Sequence, residues 1–226
     1  GTFGLEDTQF RTTVNLLPNA TYTVAEGLTA GQVADGWYVE SISCDDGTQG
    51  DVAAQAVAVT LDPGANVKCT FTNTKRGTVE VEKQTDPADA PDSFSFFGSL
   101  GDFDLTDNGM ESSAAKPGLY QVTENDAPGW ALTALSCNDN NSVGSIATRT
   151  ATYNVEAGET VRCTFTNTKL GQITVTKEIN GTNQPFTFNS DGFTLTDTTL
   201  ADGESASSTV GLLPGTYKVS EVLSTG

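Results

Sequence analysis

The seven-residue stretch CTFTNTK occurs twice in this chain, at Cys69–Lys75 and again at Cys163–Lys169. Each copy is followed by a run of alternating apolar residues that ends in lysine, GTVEVEK up to Lys83 and GQITVTK up to Lys177. The two cysteines lie 94 residues apart, and so do the two lysines. A fixed period close to the size of one small domain indicates a tandem array of repeats.

Other recurring stretches show where the chain starts and stops within this period. A strand sequence that contains a glutamate occurs three times, as TYTVAEG at Thr21–Gly27, LYQVTEN at Leu119–Asn125 and TYKVSEV at Thr216–Val222. We therefore predict one complete repeat at residues 76–169. Residues 1–75 are predicted to be the C-terminal part of a first repeat, and residues 170–226 the N-terminal part of a third. We expect the natural chain to be longer.

The residue pattern predicts an all-β fold with almost no helix. Short runs rich in Val, Thr, Tyr and Phe are separated by Pro, Asn, Asp and Gly, and no stretch keeps apolar residues at helical spacing over three turns. The 226 residues are enough for two domains of about 100 residues, each with its own core but with little surplus stability. Small domains of this size gain from covalent cross-links.

Four cysteines occupy equivalent places in the repeats, two in each. This pattern predicts one disulfide per repeat, Cys44 with Cys69 and Cys137 with Cys163, and an extracellular or cell-surface location. A zinc site is the rival interpretation. It fails because the chain has no histidine and each repeat has only two thiols, too few ligands for a structural zinc ion.

Charge and composition exclude several classes of function. The formal net charge of −18 disfavours nucleic acid and anionic membrane surfaces as partners. No run of 18 apolar residues is present, so we expect no membrane insertion in this segment. The chain has no histidine for acid–base chemistry, no glycine-rich phosphate loop and no serine in a nucleophile-elbow context. We therefore expect no enzyme activity, no cofactor and no metal.

The alternation of side chains along each strand singles out three polar residues of the complete repeat. Alternate residues of a strand face the same way, so Lys83 shares a face with Val81, Glu124 with Val122, and Asn167 with Phe165. A lysine, a glutamate and an asparagine would then point from three strands into one core. An unpaired charge or amide there costs several kcal/mol, so the three groups have to satisfy one another.

These motifs resemble the B-type repeats of collagen adhesins (Cna-B) and the related SpaA-like pilin domains of Gram-positive bacteria, and the resemblance runs over the whole chain. It implies tandem Ig-like, prealbumin-like β-sandwich domains. In that family a lysine of the first strand and an asparagine of the last form an intramolecular isopeptide bond, assisted by an acidic residue. By resemblance, Lys83 is the nucleophile, Asn167 the acceptor that loses ammonia, and Glu124 the proton shuttle.

The same resemblance implies two partial sites. Glu26 with Asn73 would belong to the first repeat, and Lys177 with Glu221 to the third. A covalent head-to-tail polymer, in which the tail of one copy completes the head of the next, is an alternative. We prefer a longer chain, because residues 193–221 duplicate the hairpin already present at 3–26, and a composite domain would hold that element twice.

Three classes of function remain. The favoured one is a structural segment of an extracellular stalk, pilus-like fibre or filament, with neighbouring repeats or copies of the same protein as partners. The others are an adhesin that binds a host matrix protein or glycan through these domains, and a carbohydrate-binding module of a secreted enzyme. Binding surfaces need exposed aromatic side chains, whereas Trp37 and Trp130 recur at one repeat position and are predicted to lie in the core.

Each of these signals has an ordinary alternative. Lys83 at a strand end can reach solvent, and Asn167 can cap a turn. Asn19, Asn140 and Asn180 stand in N-x-Ser/Thr sequons, which matter only in a source that glycosylates them. Acidic loops, such as the one around Asp45, could bind Ca²⁺ but lack the ordered spacing of an EF-hand loop.

Overall fold

The computed structural model describes residues 1–182 and 184–222. Strands make up the regular structure almost entirely, so the all-β prediction is confirmed. The chain divides into two compact units, Gly1–Arg76 and a second one that begins at Gly77.

The first unit contains four strands and a short helix. They are β1 (Thr21–Ala25), α1 (Ala30–Ala34), β2 (Trp37–Cys44), β3 (Ala56–Thr60) and β4 (Cys69–Lys75). Strands β1 and β3 pair antiparallel, and so do β2 and β4. Helix α1 begins with a capping box, in which Thr29 and Gln32 satisfy each other's backbone N–H groups. Five apolar residues of β2 and β3 form a small buried core: Val39, Ile42, Cys44, Val57 and Val59.

The second unit opens with the nine strands of the predicted complete repeat. They are β5 (Gly77–Asp86), β6 (Phe94–Gly98), β7 (Phe103–Leu105), β8 (Met110–Ala115), β9 (Gly118–Glu124), β10 (Trp130–Cys137), β11 (Val143–Ser145), β12 (Thr150–Val155) and β13 (Thr160–Lys169). They form a four-stranded sheet in the order β10-β13-β5-β8 and a five-stranded sheet in the order β11-β12-β9-β6-β7. Apolar residues of both sheets share one buried core, which makes this region a β-sandwich.

The first and last strands of this sandwich lie side by side. Strand β13 pairs with β5 in parallel, with Phe165 opposite Lys83 and Asn167 opposite Thr85. Both strands are central in their sheet, because β10 covers the other edge of β13 and β8 that of β5. Their alternating sequences bury every second residue, including Val79, Val161 and Phe165.

The remaining strands of the second unit are shorter. They are β14 (Thr174–Thr176), β15 (Phe186–Asp191), β16 (Thr199–Leu200), β17 (Ser205–Ser207) and β18 (Lys218–Glu221). Strand β14 pairs with β17, and β15 lies between β16 and β18. They surround a separate small core of Phe188, Leu195, Leu200 and Ala206.

The two copies of CTFTNTK form equivalent strands, β4 and β13. Each pairs with the equivalent strand of its own repeat, β4 with β2 and β13 with β10. In each, the asparagine lies opposite an apolar residue of the partner strand, Asn73 opposite Val39 and Asn167 opposite Leu132. One extra residue of the partner strand, Glu40 or Thr133, then forms a β-bulge at the same place in both repeats.

A disulfide joins the paired strands at their other end in both repeats. Cys44 is bonded to Cys69, and Cys137 to Cys163. In each pair the two cysteines stand directly opposite each other on neighbouring antiparallel strands. The disulfide therefore fixes the register of the strand that carries the asparagine.

One sequence-based prediction about the core is wrong. Trp130 is buried and packs edge-to-face against Phe94, with ring centroids 5.4 Å apart, but Trp37 is 39% exposed. Phe94 belongs to strand β6, and the described strands of the first unit include no counterpart of β6. Trp37 consequently lacks the aromatic neighbour that covers Trp130.

Candidate functional site

Lys83 is the most unusual residue of the β-sandwich, because its long cationic side chain is completely buried. It lies on the core face of β5, with 0% of its surface exposed. The amine Nζ lies 4.2 Å from the centre of the Phe94 ring and 3.7 Å from Oε1 of Glu124. It also donates hydrogen bonds to the backbone oxygens of Gln84 at 2.6 Å and Phe165 at 3.2 Å.

Burial changes the protonation of this amine. Desolvation lowers the pKa of Lys83 from 10.5 to about 8, against the opposing effect of Glu124 and Asp107, whose negative charges raise it. With this pKa about one amine in ten is neutral at pH 7, compared with about one in three thousand for an ordinary lysine. Lys83 is therefore a far better nucleophile than a surface lysine.

Glu124 is the last residue of β9 and is also buried, with 1% of its surface exposed. Desolvation raises the pKa of its carboxyl above the usual range, while the charge of Lys83, the nearby Asn167 amide and the charge of Arg149 lower it. The backbone N–H of Glu124 donates to the carbonyl of Arg149 at 2.9 Å. Neither carboxyl oxygen forms a hydrogen bond within the described structure.

Asn167, on strand β13, is the third buried polar residue beside Lys83 and Glu124. Its side chain is 0% exposed, and among the described residues neither its amide nitrogen nor its amide oxygen has a hydrogen-bond partner. In the parallel pairing of β13 with β5 it stands two residues beyond Phe165, the residue opposite Lys83, and on the same face. Glu124 lies close enough for the Asn167 amide to influence its pKa.

The site thus brings together an amine, a carboxyl and a carboxamide in one apolar pocket. Buried polar atoms without partners are rare in folded proteins and call for an explanation. The orphaned atoms here are the two carboxyl oxygens of Glu124 and the two amide atoms of Asn167. A partly neutral amine, a carboxyl that is easily protonated and an amide held nearby are the groups that an amide-transfer reaction requires.

The first repeat holds two of these three groups. The amide nitrogen of Asn73 donates to Oε1 of Glu26 at 2.6 Å, and both residues are half-buried. The other carboxyl oxygen of Glu26 and the amide oxygen of Asn73 have no hydrogen-bond partner among the described residues. The arrangement parallels Glu124 with Asn167, because Asn73 follows Phe71 on β4 as Asn167 follows Phe165 on β13.

The second partial site, Lys177 with Glu221, lies in the C-terminal part of the chain. Nζ of Lys177 lies 3.0 Å from Oε2 of Glu221 and 4.1 Å from the centre of the Phe186 ring. Strand pairing repeats the geometry of the complete site, because Glu221 lies opposite Phe188 as Glu124 lies opposite Phe96. Both side chains are partly exposed, unlike Lys83 and Glu124.

Sequence reasoning missed two residues around Lys83 and Glu124. Phe94 covers the lysine amine, and the recurrence of a Phe-x-Phe pattern at Phe94 and Phe186 could have revealed it. Arg149 lies beside Glu124, with Nη1 3.8 Å from Oε2. No sequence signal indicated this arginine, since its repeat equivalent 94 residues earlier is Gln55.

The sandwich with these three buried residues matches a known family. A sequence model of the SpaA-type prealbumin-like fold domain matches residues 4–75 and, separately, residues 79–169. The chain belongs to this family. The resemblance drawn from the repeats and the expected prealbumin-like fold are both confirmed.

Several solved structures show a distant likeness. The Bacillus anthracis TIE protein is 14% identical, with a TM-score of 0.33, over 81% of this chain and 42% of that protein. A streptococcal ancillary pilin is 14% identical, with a TM-score of 0.33, over 92% of this chain and 67% of the pilin. The T-13 major pilin of Streptococcus pyogenes is 17% identical, with a TM-score of 0.30, over 69% of each chain.

This chain therefore spans less than half the length of the Bacillus anthracis protein. At such low scores these structures carry no argument about the role of any residue. No curated protein matches the chain in sequence. None of the described residues belongs to a helix long and apolar enough to cross a membrane.

Proposed function

We propose that this chain is a load-bearing segment of an extracellular stalk or pilus-like fibre, stiffened by an isopeptide bond between Lys83 and Asn167. The observation that carries the proposal is the burial of Lys83, Glu124 and Asn167 in one core, with the orphaned polar atoms of the last two. The pilin-like fold and the two disulfides fit a structural role of this kind. The disulfides also favour an oxidising, extracellular compartment.

The reaction joins two side chains and releases ammonia. Lys83 first passes one proton from its ammonium group to the carboxylate of Glu124. The neutral Nζ then attacks Cγ of Asn167, so that a new C–N bond forms and the bond from Cγ to Nδ2 breaks. Nδ2 receives one proton from the attacking amine and one from Glu124 and departs as ammonium, so Glu124 ends ionised and the positive charge of the lysine has left the core.

Proximity supplies much of the rate of such a reaction. Groups held in near-attack geometry can gain about 7–11 kcal/mol of the barrier. Lys83 and Asn167 belong to the neighbouring central strands β5 and β13, which supports such positioning. Each chain reacts once, so the protein acts on itself and needs no external substrate.

The position of the proposed bond suits a protein under tension. Pulling force enters the repeat at the start of β5 and leaves at the end of β13. A covalent bond between these two adjacent strands carries the force directly from one to the other. The strands between Lys83 and Asn167 are then never stretched.

The partial sites extend the same design to neighbouring repeats. We assign Glu26 and Asn73 to a first repeat over residues 1–75, and Lys177 and Glu221 to a third over 170–226, on either side of the complete repeat at 76–169. Their partners are neighbouring repeats or other copies of the chain. The match of residues 4–75 and 79–169 to one domain family supports an array of like repeats as the setting.

Single-molecule pulling tests the mechanical part of the proposal. Wild-type protein held by its two ends is expected to show no unfolding step that releases the chain between Lys83 and Asn167. The Asn167→Ala variant cannot form the bond and is expected to lengthen by about 200 Å when the sandwich unfolds. The residues between Cys137 and Cys163 do not add to this length, because the disulfide prevents them from extending. Glu124→Gln is expected to behave like Asn167→Ala.

A matched control is Asn138→Ala, which removes an exposed asparagine of the same sandwich. It should pull like the wild type. A long unfolding step from this sandwich in the wild-type protein, equal to that of Asn167→Ala, would reject the load-bearing bond.

A further inference from the structure

The isopeptide reaction leaves a charge imbalance in the core. Before the reaction, the carboxyl of Glu124 faces the amine of Lys83 at 3.7 Å. Afterwards Nζ of Lys83 is an uncharged amide nitrogen, because its positive charge has left with the ammonium ion. Glu124 is still buried, and an ionised carboxylate inside an apolar core requires a counter-ion or must take up a proton.

One cation other than Lys83 stands next to this carboxyl. Nη1 of Arg149 lies 3.8 Å from Oε2 of Glu124, the oxygen on the other side of the carboxyl from Lys83. The same nitrogen is buried and has no hydrogen-bond partner in the described part of the chain. The second guanidinium nitrogen, Nη2, is held by the exposed carboxylate of Asp126.

We propose that Arg149 is the counter-ion that keeps Glu124 ionised after Lys83 has lost its charge. The inference rests on the proposed isopeptide bond, since only that reaction removes the lysine cation. Arg149 is a positioning residue and does not touch the reacting atoms. Its positive charge stabilises the carboxylate of Glu124, and the unpaired N–H groups of Nη1 can donate to that carboxylate.

The backbone holds Arg149 in this place. Its φ of +54° lies in the left-handed region, and its carbonyl accepts the backbone N–H of Glu124 at 2.9 Å. The first repeat has the same geometry at Gln55, with a φ of +53° and its carbonyl accepting the N–H of Glu26 at 2.9 Å. The repeats thus keep one backbone shape and differ in the charge that it presents.

This difference matches the surroundings of the two glutamates. Glu26 is only half-buried and already accepts a hydrogen bond from Asn73. The residue at the equivalent backbone position beside it is the neutral Gln55. Glu124 is fully buried, and its carboxyl has no hydrogen bond among the described residues. The residue beside it is the positively charged Arg149.

The charged groups that face this site come from four elements. Lys83 on β5 and Arg149 before β12 face Glu124 directly. Asp126, in the segment after β9, pairs with Arg149, and Asp107, in the turn before β8, acts on Lys83. Once Lys83 is neutral, Arg149 is the one cation among these groups.

The test follows the ionisation of Glu124 in the full chain. The NMR signal of its side-chain carboxyl carbon is titrated from about pH 4 to pH 9 in wild type, Arg149→Gln, Arg149→Lys and Arg162→Gln. Arg162→Gln is the matched control, because it removes the same charge from an arginine of β13 that pairs with Glu80 at 2.9 Å. Intact mass is recorded first for every protein.

We expect Glu124 to be ionised at neutral pH in cross-linked wild type and Arg162→Gln. Its titration midpoint in Arg149→Gln should lie at least about one pH unit higher, a tenfold change in proton affinity. Arg149→Lys should lie between the two. This graded order would not arise from a purely structural role of the side chain.

Two failures can be told apart. A wild-type protein with the full mass of its sequence overturns the isopeptide bond, and this inference with it. A wild-type protein that lacks one ammonia, but in which Glu124 is protonated at neutral pH or titrates as in Arg149→Gln, overturns the role of Arg149 alone. If Arg149→Gln fails to fold, wild type and Arg149→Lys still decide the question.

Discussion

At the scale of single residues, the side-chain alternation of short strands predicts that three polar residues face the core, whereas their roles come from the family resemblance and stay a prediction. Lys83, Glu124 and Asn167 end runs in which every second residue is apolar, and the structure buries all three. The neighbours of these residues could not be predicted in this way. Phe94 and Arg149 come from parts of the chain whose approach depends on how the sheets pack, and alternation along one strand carries no such information.

The buried amine gives a prediction about pH at the same scale. In Asn167→Ala the bond cannot form, so Lys83 keeps its amine with a pKa of about 8 when folded and 10.5 when unfolded. The unfolded chain then binds a proton that the folded protein has released. The free energy of unfolding should therefore rise as pH increases from 8 to 10.5. Below pH 8 the amine is charged in both states, and the folded protein is destabilised by the full cost of burying the cation.

Denaturant unfolding at a series of pH values measures this effect. Lys83→Met combined with Asn167→Ala removes the amine and is the control, in which the rise between pH 8 and 10.5 should disappear. An equal rise in both variants would show that another group is responsible. It would also remove the argument that Lys83 is an activated nucleophile.

At the scale of structural elements, the repeated strands were predictable but their pairing was not. CTFTNTK forms β4 and β13 as expected, and each disulfide joins the cysteines of that strand and its neighbour. The parallel pairing of β13 with β5 is a long-range contact that sequence alternation leaves open. The bulges at Glu40 and Thr133 depend on a single extra residue in one strand, which period-2 alternation cannot reveal.

The disulfide that fixes the register of β13 should contribute measurably to stability. In a Glu124→Ala background, which lacks the proposed isopeptide bond, replacing Cys137 and Cys163 by alanine is expected to lower the free energy of unfolding by about 3 kcal/mol. The physical reason is the loss of a cross-link between residues 26 positions apart in the chain. Denaturant unfolding measures the loss.

The equivalent change at Cys44 and Cys69 is the control, because that disulfide belongs to the other compact unit and its separate core. It should leave the unfolding of the β-sandwich at 77–169 unchanged. No loss of stability on removal of Cys137 and Cys163 would mean that the unfolded chain gains little freedom when this loop opens.

At the scale of the whole molecule, the period of 94 residues predicted an array of all-β repeats, and the family match covers two successive stretches of the chain. The division into one complete and two partial repeats stays a prediction. The structure separates the chain once, after Arg76, and the described residues that follow 169 belong to the same compact unit as the sandwich. A period in sequence gives the length of a repeat but not how tightly successive repeats pack.

The central claim is that Lys83 and Asn167 are joined by a covalent bond inside this sandwich. The most direct test is the intact mass of the folded protein after reduction of its disulfides. We predict that the wild type weighs one ammonia less than its sequence, and that Glu124→Ala and Asn167→Ala have the full mass of theirs. A folded wild-type protein with the full mass of its sequence would contradict the account.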